Sequence, residues 1–492
     1  MELDVEPIDI GSRAPTVLLN EADAADLGVH AVERVQLRHA NGTSVAIVEL
    51  TDKLVPSGVL GVTRRLGHIE GPVTVSIAPQ PASVSAIRKK LDDIELEHHE
   101  LHQLVRDIYE ERLSDVELGA YVSAVYTNGL SLTETLHLTE CMAAIGEQIQ
   151  WDEPIIADKH SIGGVAGNRV TPILVPIVAS AGVKIPKTSS RAVTSAAGTA
   201  DTMEVLCDVD FSIEEIRHIV EDVGGCLVWG GAVNLSPVDD RIIRAETPLS
   251  IDPRGQLIAS VLSKKKSAGS THVVIDIPYG EGAKVLSLAD AQELATDFKR
   301  VGEHLAMNIE CAITNGAAPV GRGVGPLLEA RDILETLAGE GPSDLRIKAI
   351  RLADLLFELV GVDADAAQIL DSGRAEATFR AILEAQRGDP DIRADDLVPG
   401  EHTHRVYADR PGVITHINNI HINEIARRAG APKDLAAGLK LGHRLGDTVV
   451  EGDLLFTVYA ESPDKLADAR KLTTRVEAVR VRHPDEALID RV

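Results

Sequence analysis

ADKHSIGGVAGNRVTPILVPIVASAGVKIPKTSSRAVTSAAGTADTMEVL, residues 157–206, carries two loops suited to gripping phosphate, joined by one helix and one strand. The first is Asp158-Lys159-His160-Ser161-Ile162-Gly163-Gly164. It is expected to follow a short apolar strand at 154–157 and to precede a helix N-capped by Asn168. Small residues let the backbone approach an anion, Lys159 supplies charge and Ser161 supplies a hydroxyl. The second loop, residues 189–199, holds five hydroxyl side chains and the guanidinium of Arg191 within eleven residues. One Gly-rich loop is a weak signal. Two in a single strand–loop–helix succession point to a ligand, or a ligand pair, bearing more than one phosphate.

Working outward, the chain has the length of about three domains. Its hydrophobic content of 44% is that of a globular protein. No apolar run approaches the ~18 residues of a membrane span, and the opening Met-Glu-Leu-Asp is not that of a signal peptide. A cytoplasmic protein is expected. Cys141, Cys207, Cys226 and Cys311 lack CxxC spacing and read as reduced core residues, with no metal site. His98 and His102 have i, i+4 spacing, but they lie among Glu95, Glu97 and Glu100 and read as part of an exposed acidic helix.

Acids outnumber bases by 76 to 49, a net charge of −27 spread along the chain. Such a surface repels nucleic acid and anionic membranes. Its even distribution favours adaptation to a salty solvent over a single cationic partner. At molar salt the Debye length is about 3 Å and dense surface acid costs little.

Residues 1–83 alternate apolar and polar residues in short runs, with turns at Asn41-Gly42 and Pro56-Ser57-Gly58, and read as a small β-barrel. Pro79-Gln80-Pro81 marks its exit. A helical block follows at 84–150, with capping boxes at Ser114/Glu117 and Ser131/Glu134 and a stop at Asn128-Gly129. From 151 to 235, and again from 269 to 398, strands alternate with helices, one of them capped by Ser212/Glu215. That order predicts a parallel sheet. Residues 236–268 interrupt it with helical sequence, as though the chain returns to the helical block. From 399 to 492 the sequence is strand-rich (412–417, 447–460), with a helix expected at 424–428. The hairpins there resemble biotin-carrier folds, but 447–461 has no lysine to carry a prosthetic group. The expected fold class is therefore α/β multidomain: an N-terminal β-barrel-like domain, a helical lobe, an α/β lobe with a parallel-rich sheet, and a C-terminal α+β domain.

DKHSIGG followed by SSRAVTSAAGTADTMEVL resembles the signature region of the thymidine/pyrimidine-nucleoside phosphorylases and the archaeal AMP phosphorylases. SIDPRGQLIASVLSKKKSAGSTHVVIDIPYGEGAKV (250–285) and RPGVITHINNIHINEIARRAGAP (410–432) match in the expected order, so the resemblance spans nearly the whole chain. It implies a two-lobed fold with the substrate in the cleft and an N-terminal domain that the shorter nucleoside phosphorylases lack. The implied reaction is phosphorolysis of an N-glycosidic bond through an oxocarbenium-like transition state. Lys159, Ser161 and Thr199 suit the phosphate nucleophile. The resemblance places the proton donor at Asp252, a role that requires a pKa raised by burial. Ser260 and Lys264 lie one helical turn apart, and Lys264 with Arg244 matches positions that hold the base in pyrimidine phosphorylases. Lys284 is implied to contact the nucleotide, and His160 either borders base or sugar or shapes its loop.

Gly164, Ser190, Arg191, Ala192, Val193, Thr194 and Ser195 correspond to nucleotide-binding positions in the AMP phosphorylases. The second loop departs from the S-G-R-G core of nucleoside phosphorylases. Its extra hydroxyls and Arg191 favour a substrate with a 5′-phosphate. The partners implied are a nucleoside monophosphate and inorganic phosphate, with no cofactor, no nucleic acid, no membrane, and a homodimer or larger homo-oligomer. A nucleoside phosphorylase yielding pentose 1-phosphate is the alternative. A phosphoribosyltransferase would need paired carboxylates for Mg²⁺ and diphosphate, which no motif offers, and intact Lys159, Ser161, Arg191, Thr199 and Lys284 argue against a non-catalytic scaffold.

The charge generates a prediction. Raising ionic strength from 0.1 to 1 M shortens the screening length from about 10 Å to about 3 Å and removes most self-repulsion. The thermal midpoint and the sedimentation coefficient should both rise between dilute buffer and molar KCl. A midpoint that is flat or falls up to 2 M would instead favour a cationic partner.

Overall fold

Apolar and polar residues alternate along the N-terminal strands, and the strands close on themselves to bury the apolar face. In the computed structural model, which describes residues 1–12, 14–192, 195–249 and 251–482, β1 (Glu2–Ile8), β2 (Thr16–Asn20), β3 (Arg34–His39), β4 (Gly42–Thr51), β5 (Val59–Thr63) and β6 (Val73–Ile77) form a closed barrel in the order β1-β5-β2-β4-β3-β6. Val17 and Leu19, Val35 and Leu37, Leu60 and Val62, and Val73 and Val75 all turn inward, as the two-residue period of a strand requires. Closure leaves no open edge for another chain to pair with. α1 (Glu21–Leu27), α2 (Ser83–Leu91), α3 (His98–Tyr109) and α4 (Asp115–Asn128) complete this unit, residues 1–128. Ahead of α4, Glu117 accepts from Ser114 N at 2.8 Å while Ser114 Oγ accepts from Glu117 N at 3.3 Å, the expected capping box.

The second unit, residues 129–492, begins with α5 (Leu132–Ile145), capped by the Ser131/Glu134 box. The chain then runs β7 (Ala157–Ser161), α6 (Thr171–Ser180), β8 (Ile185–Ser189), α7 (Thr199–Met203), α8 (Ile213–Val223) and β9 (Gly225–Trp229). α9 (Pro237–Glu246) and α10 (Arg254–Ser267) follow, and α10 packs along α5. The α/β pattern then resumes with β10 (His272–Tyr279), α11 (Leu288–His304), β11 (Asn308–Asn315), β12 (Gly323–Val324), α12 (Pro326–Leu337), α13 (Ser343–Val360), α14 (Ala366–Asp371) and α15 (Arg374–Ala385).

β7, β10 and β11 are parallel in the order β11-β10-β7, and β8 and β9 form a parallel pair. α6 is apolar on every side, and all of it but Ser180 is buried. That is the pattern of a helix inside a core rather than on a surface. The chain ends with β13 (His402–Tyr407), β14 (Gly412–Ile417), α16 (Asn419–Ala429), β15 (Gly438–Leu441), β16 (Thr448–Val449), β17 (Leu454–Ala460), α17 (Pro463–Thr473) and β18 (Val479–Arg482). These strands lie in two sheets, β12-β15-β17-β13 and β16-β14-β18. Among the described residues no helix is long and apolar enough to cross a membrane.

Three sequence expectations are corrected. The strand expected at 154–157 is Ala157–Ser161, so Lys159 and His160 sit on a strand and not in a loop. Polar residues there are held extended by pairing with β10, which local propensity does not reveal. Asn168 does not cap α6. The cap position is Val170 and Pro172 stands in the first turn, where its missing N–H costs nothing. In the C-terminal domain, the helix expected at 424–428 starts five residues earlier at Asn419, behind an Asn418 cap whose side chain accepts from Ile420 N and His421 N at 2.9 and 3.0 Å.

Candidate active site

Because successive strand residues face opposite sides of a sheet, β7 divides the first phosphate-loop motif between two buried clusters. Asp158 faces one side. Its carboxylate accepts from Lys265 Nζ at 2.8 Å and Ser270 Oγ at 3.0 Å, with Lys187 Nζ 3.8 Å away. His160, on the same side, is partly exposed. Burial, and then the charges of Lys265, Lys187, Lys264 and Lys159, hold its pKa well below the usual histidine value, so the ring is neutral.

Lys159 and Ser161 face the other side, toward Asp276 of β10. Asp276 is fully buried. It accepts from Thr314 Oγ1 at 2.6 Å and Ser161 Oγ at 2.9 Å, and Lys348 Nζ of α13 and Lys159 Nζ lie 2.9 and 3.9 Å from it. Burial alone would raise its pKa, but Lys348, Lys159 and the Thr314 hydroxyl bring it to about 2. The same burial lowers Lys159 to about 8, Lys348 and Arg169 adding to the effect and Asp276 opposing it. Two ammonium groups therefore share one carboxylate, leaving net positive charge at the C-terminal end of the parallel strands, where open α/β sheets bind ligands.

The second loop is tied down from within. Asp201 Oδ2 accepts from Ala192 N and Gly198 N, both at 2.7 Å, and Ser195 Oγ donates to Ala197 O at 2.8 Å. Gly198 cannot carry a side chain, since a Cβ there would stand 2.5 Å from Ser190 O. Arg191 forks onto Glu204, with Nη2 donating to Oε1 at 2.8 Å, and its guanidinium lies 4.8 Å over the Trp229 ring. Ser190 is exposed. Val193 and Thr194 lie outside the described residues. Thr199 opens α7, and its hydroxyl accepts from Arg169 Nη1 at 3.3 Å. Arg169, which follows the first loop, thus connects it to the second through Thr199 and Ala197 O, and is itself paired with Glu329 of α12.

Gly164 and Lys284 are in contact. Gly164 has φ +86°, and a Cβ there would meet Lys284 N at 2.8 Å. Lys284 Nζ is paired with the Asp252 carboxylate. This corrects the expectation of a buried acid at Asp252, whose side chain is 32% exposed. The buried acid is Glu246, at the end of α9. Burial, reinforced by the charges of Asp252 and Asp239 against the pull of Lys284 and Lys264, raises its carboxyl from 4.5 to about 8. Ser260 and Lys264 converge as expected, on the buried Asp239, at 2.9 and 2.5 Å. Arg244 is not brought to them: it is exposed and its Nε donates to Asp240 O at 3.2 Å.

Sequence reasoning missed Asp276, Lys348, Asp239, Glu246 and Arg169. Asp276 and Lys284 both lie in quoted motifs, but only Lys284 sat in a recognisable loop. Lys348 and Glu246 stand in ordinary amphipathic helices and carry no local signal.

Three family models match the chain: the glycosyl transferase family helical bundle domain at 84–146, the glycosyl transferase family a/b domain at 153–303 and the pyrimidine nucleoside phosphorylase C-terminal domain at 413–477. The chain is 57% identical to an AMP phosphorylase of Natronomonas pharaonis over 100% of both chains. It is 46% identical to AMP phosphorylase 1 of Archaeoglobus fulgidus, over 92% of each, and 44% identical to an AMP phosphorylase of Thermococcus kodakarensis, over 98% of each. Among solved structures, anthranilate phosphoribosyltransferase from Thermus thermophilus aligns with 62% of this chain and 99% of its own, at TM-score 0.53 and 18% identity, a likeness of fold alone.

Glu246 generates a prediction. Its folded-state pKa of about 8 exceeds the value of 4.5 in an unconstrained chain. The stability it contributes is complete below the lower value and is lost as pH rises through the higher one. Glu246→Gln cannot ionise, so its melting temperature should gain on the unmodified protein between pH 6 and pH 9. A constant difference across that range would contradict the assignment.

Proposed function

Since the chain belongs to the AMP phosphorylase family, we propose that it converts a nucleoside 5′-monophosphate and inorganic phosphate to free base and ribose 1,5-bisphosphate. AMP is the first candidate, with GMP or CMP as others. The observation that carries the reading is that Arg169, just past the first loop, bonds Thr199 of the second, while Gly164 of the first lies against Lys284, the partner of Asp252. In this reading Lys159, Ser161 and Thr199 hold inorganic phosphate below C1. Arg191, with Gly164, Ser190 and Ser195, holds the 5′-phosphate, which competes with Glu204 for the guanidinium.

A phosphate oxygen bonds to C1 as the C1–N bond breaks, and the electron pair leaves on the base nitrogen. Asp252 donates the proton that neutralises it. Ser260, Lys264 and neutral His160 line the base and sugar side, whereas Arg244, exposed on α9, would have to swing in to join them. Inorganic phosphate is itself the nucleophile, so the reaction calls for no cofactor. A cytoplasmic homodimer or larger homo-oligomer completes the proposal.

Losing the 5′-phosphate should forfeit several charge-assisted hydrogen bonds of about 1.5–3 kcal/mol each. Adenosine should then react at least ~100-fold less efficiently than AMP, and Arg191→Ala should narrow that gap. Equal kcat/KM for the two would exclude the nucleotide reading in favour of a nucleoside phosphorylase. Asp252→Asn should lower kcat by roughly 10²–10⁴-fold while nucleotide affinity changes little. Near-normal kcat in that variant would remove Asp252 from the chemistry.

A further inference from the structure

Both phosphate loops end in the core of the C-terminal domain. Ala166, two residues past Gly164, and Ala196, next to Ser195, are buried in the same apolar cluster as Ile422, Ile425, Ala426 and Phe456. A backbone N–H taken into such a core needs a partner, and one helix supplies both. Asn419 Oδ1 accepts from Ala166 N at 3.0 Å, and Asn423 Oδ1 accepts from Ala196 N at 3.0 Å. The two asparagines are buried and stand at i and i+4 on α16, so they lie on one face, separated by about 6 Å along the axis.

Asn419 has two further contacts at the ligand-facing edge. Its Nδ2 donates to Gly316 O at 2.9 Å, just past the end of β11. Its Cβ also lies against Gly282, in the loop that carries Lys284, where an added Cβ would meet it at 3.5 Å. His416, shortly before the helix, faces Glu281 of that loop at 3.8 Å.

We propose that α16 is a spacer that sets the separation of the two phosphate loops, with Asn419 and Asn423 as positioning residues that act through Ala166 and Ala196. Neither asparagine touches a reacting atom. Each fixes a loop backbone, and one turn of helix fixes the distance between the loops. The C-terminal domain is then a part of the phosphate sites and not an appendage to them. The inference rests on the phosphorolysis reading for its division of labour, Asn419 serving the inorganic-phosphate loop and Asn423 the 5′-phosphate loop. The contacts themselves do not depend on that reading.

The test uses the full chain with Asn419→Ala, Asn423→Ala, Asn423→Asp and Asn418→Ala, measuring KM for phosphate, KM for AMP, kcat, and hydrogen exchange in the peptides containing Ala166 and Ala196. Asn419→Ala should raise KM for phosphate about 10-fold with less effect on AMP, and should speed exchange around Ala166. Asn423→Ala should raise KM for AMP about 10-fold, shrink the preference for AMP over adenosine, and speed exchange around Ala196. Asn423→Asp keeps the acceptor oxygen and should restore slow exchange there. Asn418→Ala weakens the helix cap without touching either loop, so it separates loss of positioning from loss of helix stability, and the ratio of the two KM values should not change.

Unchanged exchange and unchanged KM values in both alanine variants would overturn the proposal. So would a pattern in Asn418→Ala indistinguishable from theirs. An unmodified protein that releases no base from AMP, GMP or CMP in the presence of phosphate would refute the phosphorolysis reading, and with it the division of labour. Exchange would then still decide whether α16 holds the loops.

Discussion

The fully buried carboxylate of Asp276 is the constraint on which the rest of the second unit depends. A charge in that position is tolerated only if it is paired and hydrogen-bonded on all sides. The partners come from three other elements: Ser161 and Lys159 from β7, Thr314 from β11 and Lys348 from α13. Register between β7, β10 and β11 is thereby tied to the seating of α13. Removing such a carboxylate would leave two lysines buried without a counter-charge, and breaking a buried pair in this way typically costs about 3–5 kcal/mol.

A second buried carboxylate lies across the sheet. On the opposite face of β7, Asp158 meets Lys265 and, farther off, Lys187, whose pKa burial and the Lys265 charge hold well below the usual lysine value. The Asp276 cluster leaves a positive excess at the ligand-binding edge of a protein whose net charge is −27. The two fields act at different ranges. Surface acid repels an anionic substrate at a distance and is screened by salt, whereas buried charges act at contact and are screened much less. A salty solvent therefore quiets the repulsion while leaving the attraction intact.

Much of this was legible in the sequence, and the reason differs by feature. The barrel followed from two-residue alternation interrupted by Asn41-Gly42 and Pro56-Ser57-Gly58. The starts of α4, α5 and α8 followed from Ser and Glu three residues apart, because capping is local chemistry. Ser260 and Lys264 were paired correctly by helical spacing. Features that depend on distant pairing were not legible. Lys159 looked like a loop residue because only β10 makes that segment a strand. Asp252 was expected to be the buried acid from the family resemblance alone, and nothing local announces that it pairs with Lys284 or that Glu246 takes the buried position. The first turn of α16 was missed because Asn419 and Asn423 are poor helix formers on their own, kept there by what they bind.

In the proposed reaction a phosphate oxygen, not water, attacks C1. The direct measurement is turnover of AMP with ¹⁸O-labelled inorganic phosphate, followed by ³¹P NMR and mass analysis of the sugar product. Phosphorolysis should give ribose 1,5-bisphosphate with the labelled phosphate at C1 and the original, unlabelled phosphate at C5. Unlabelled ribose 5-phosphate beside free adenine would show hydrolysis and contradict it.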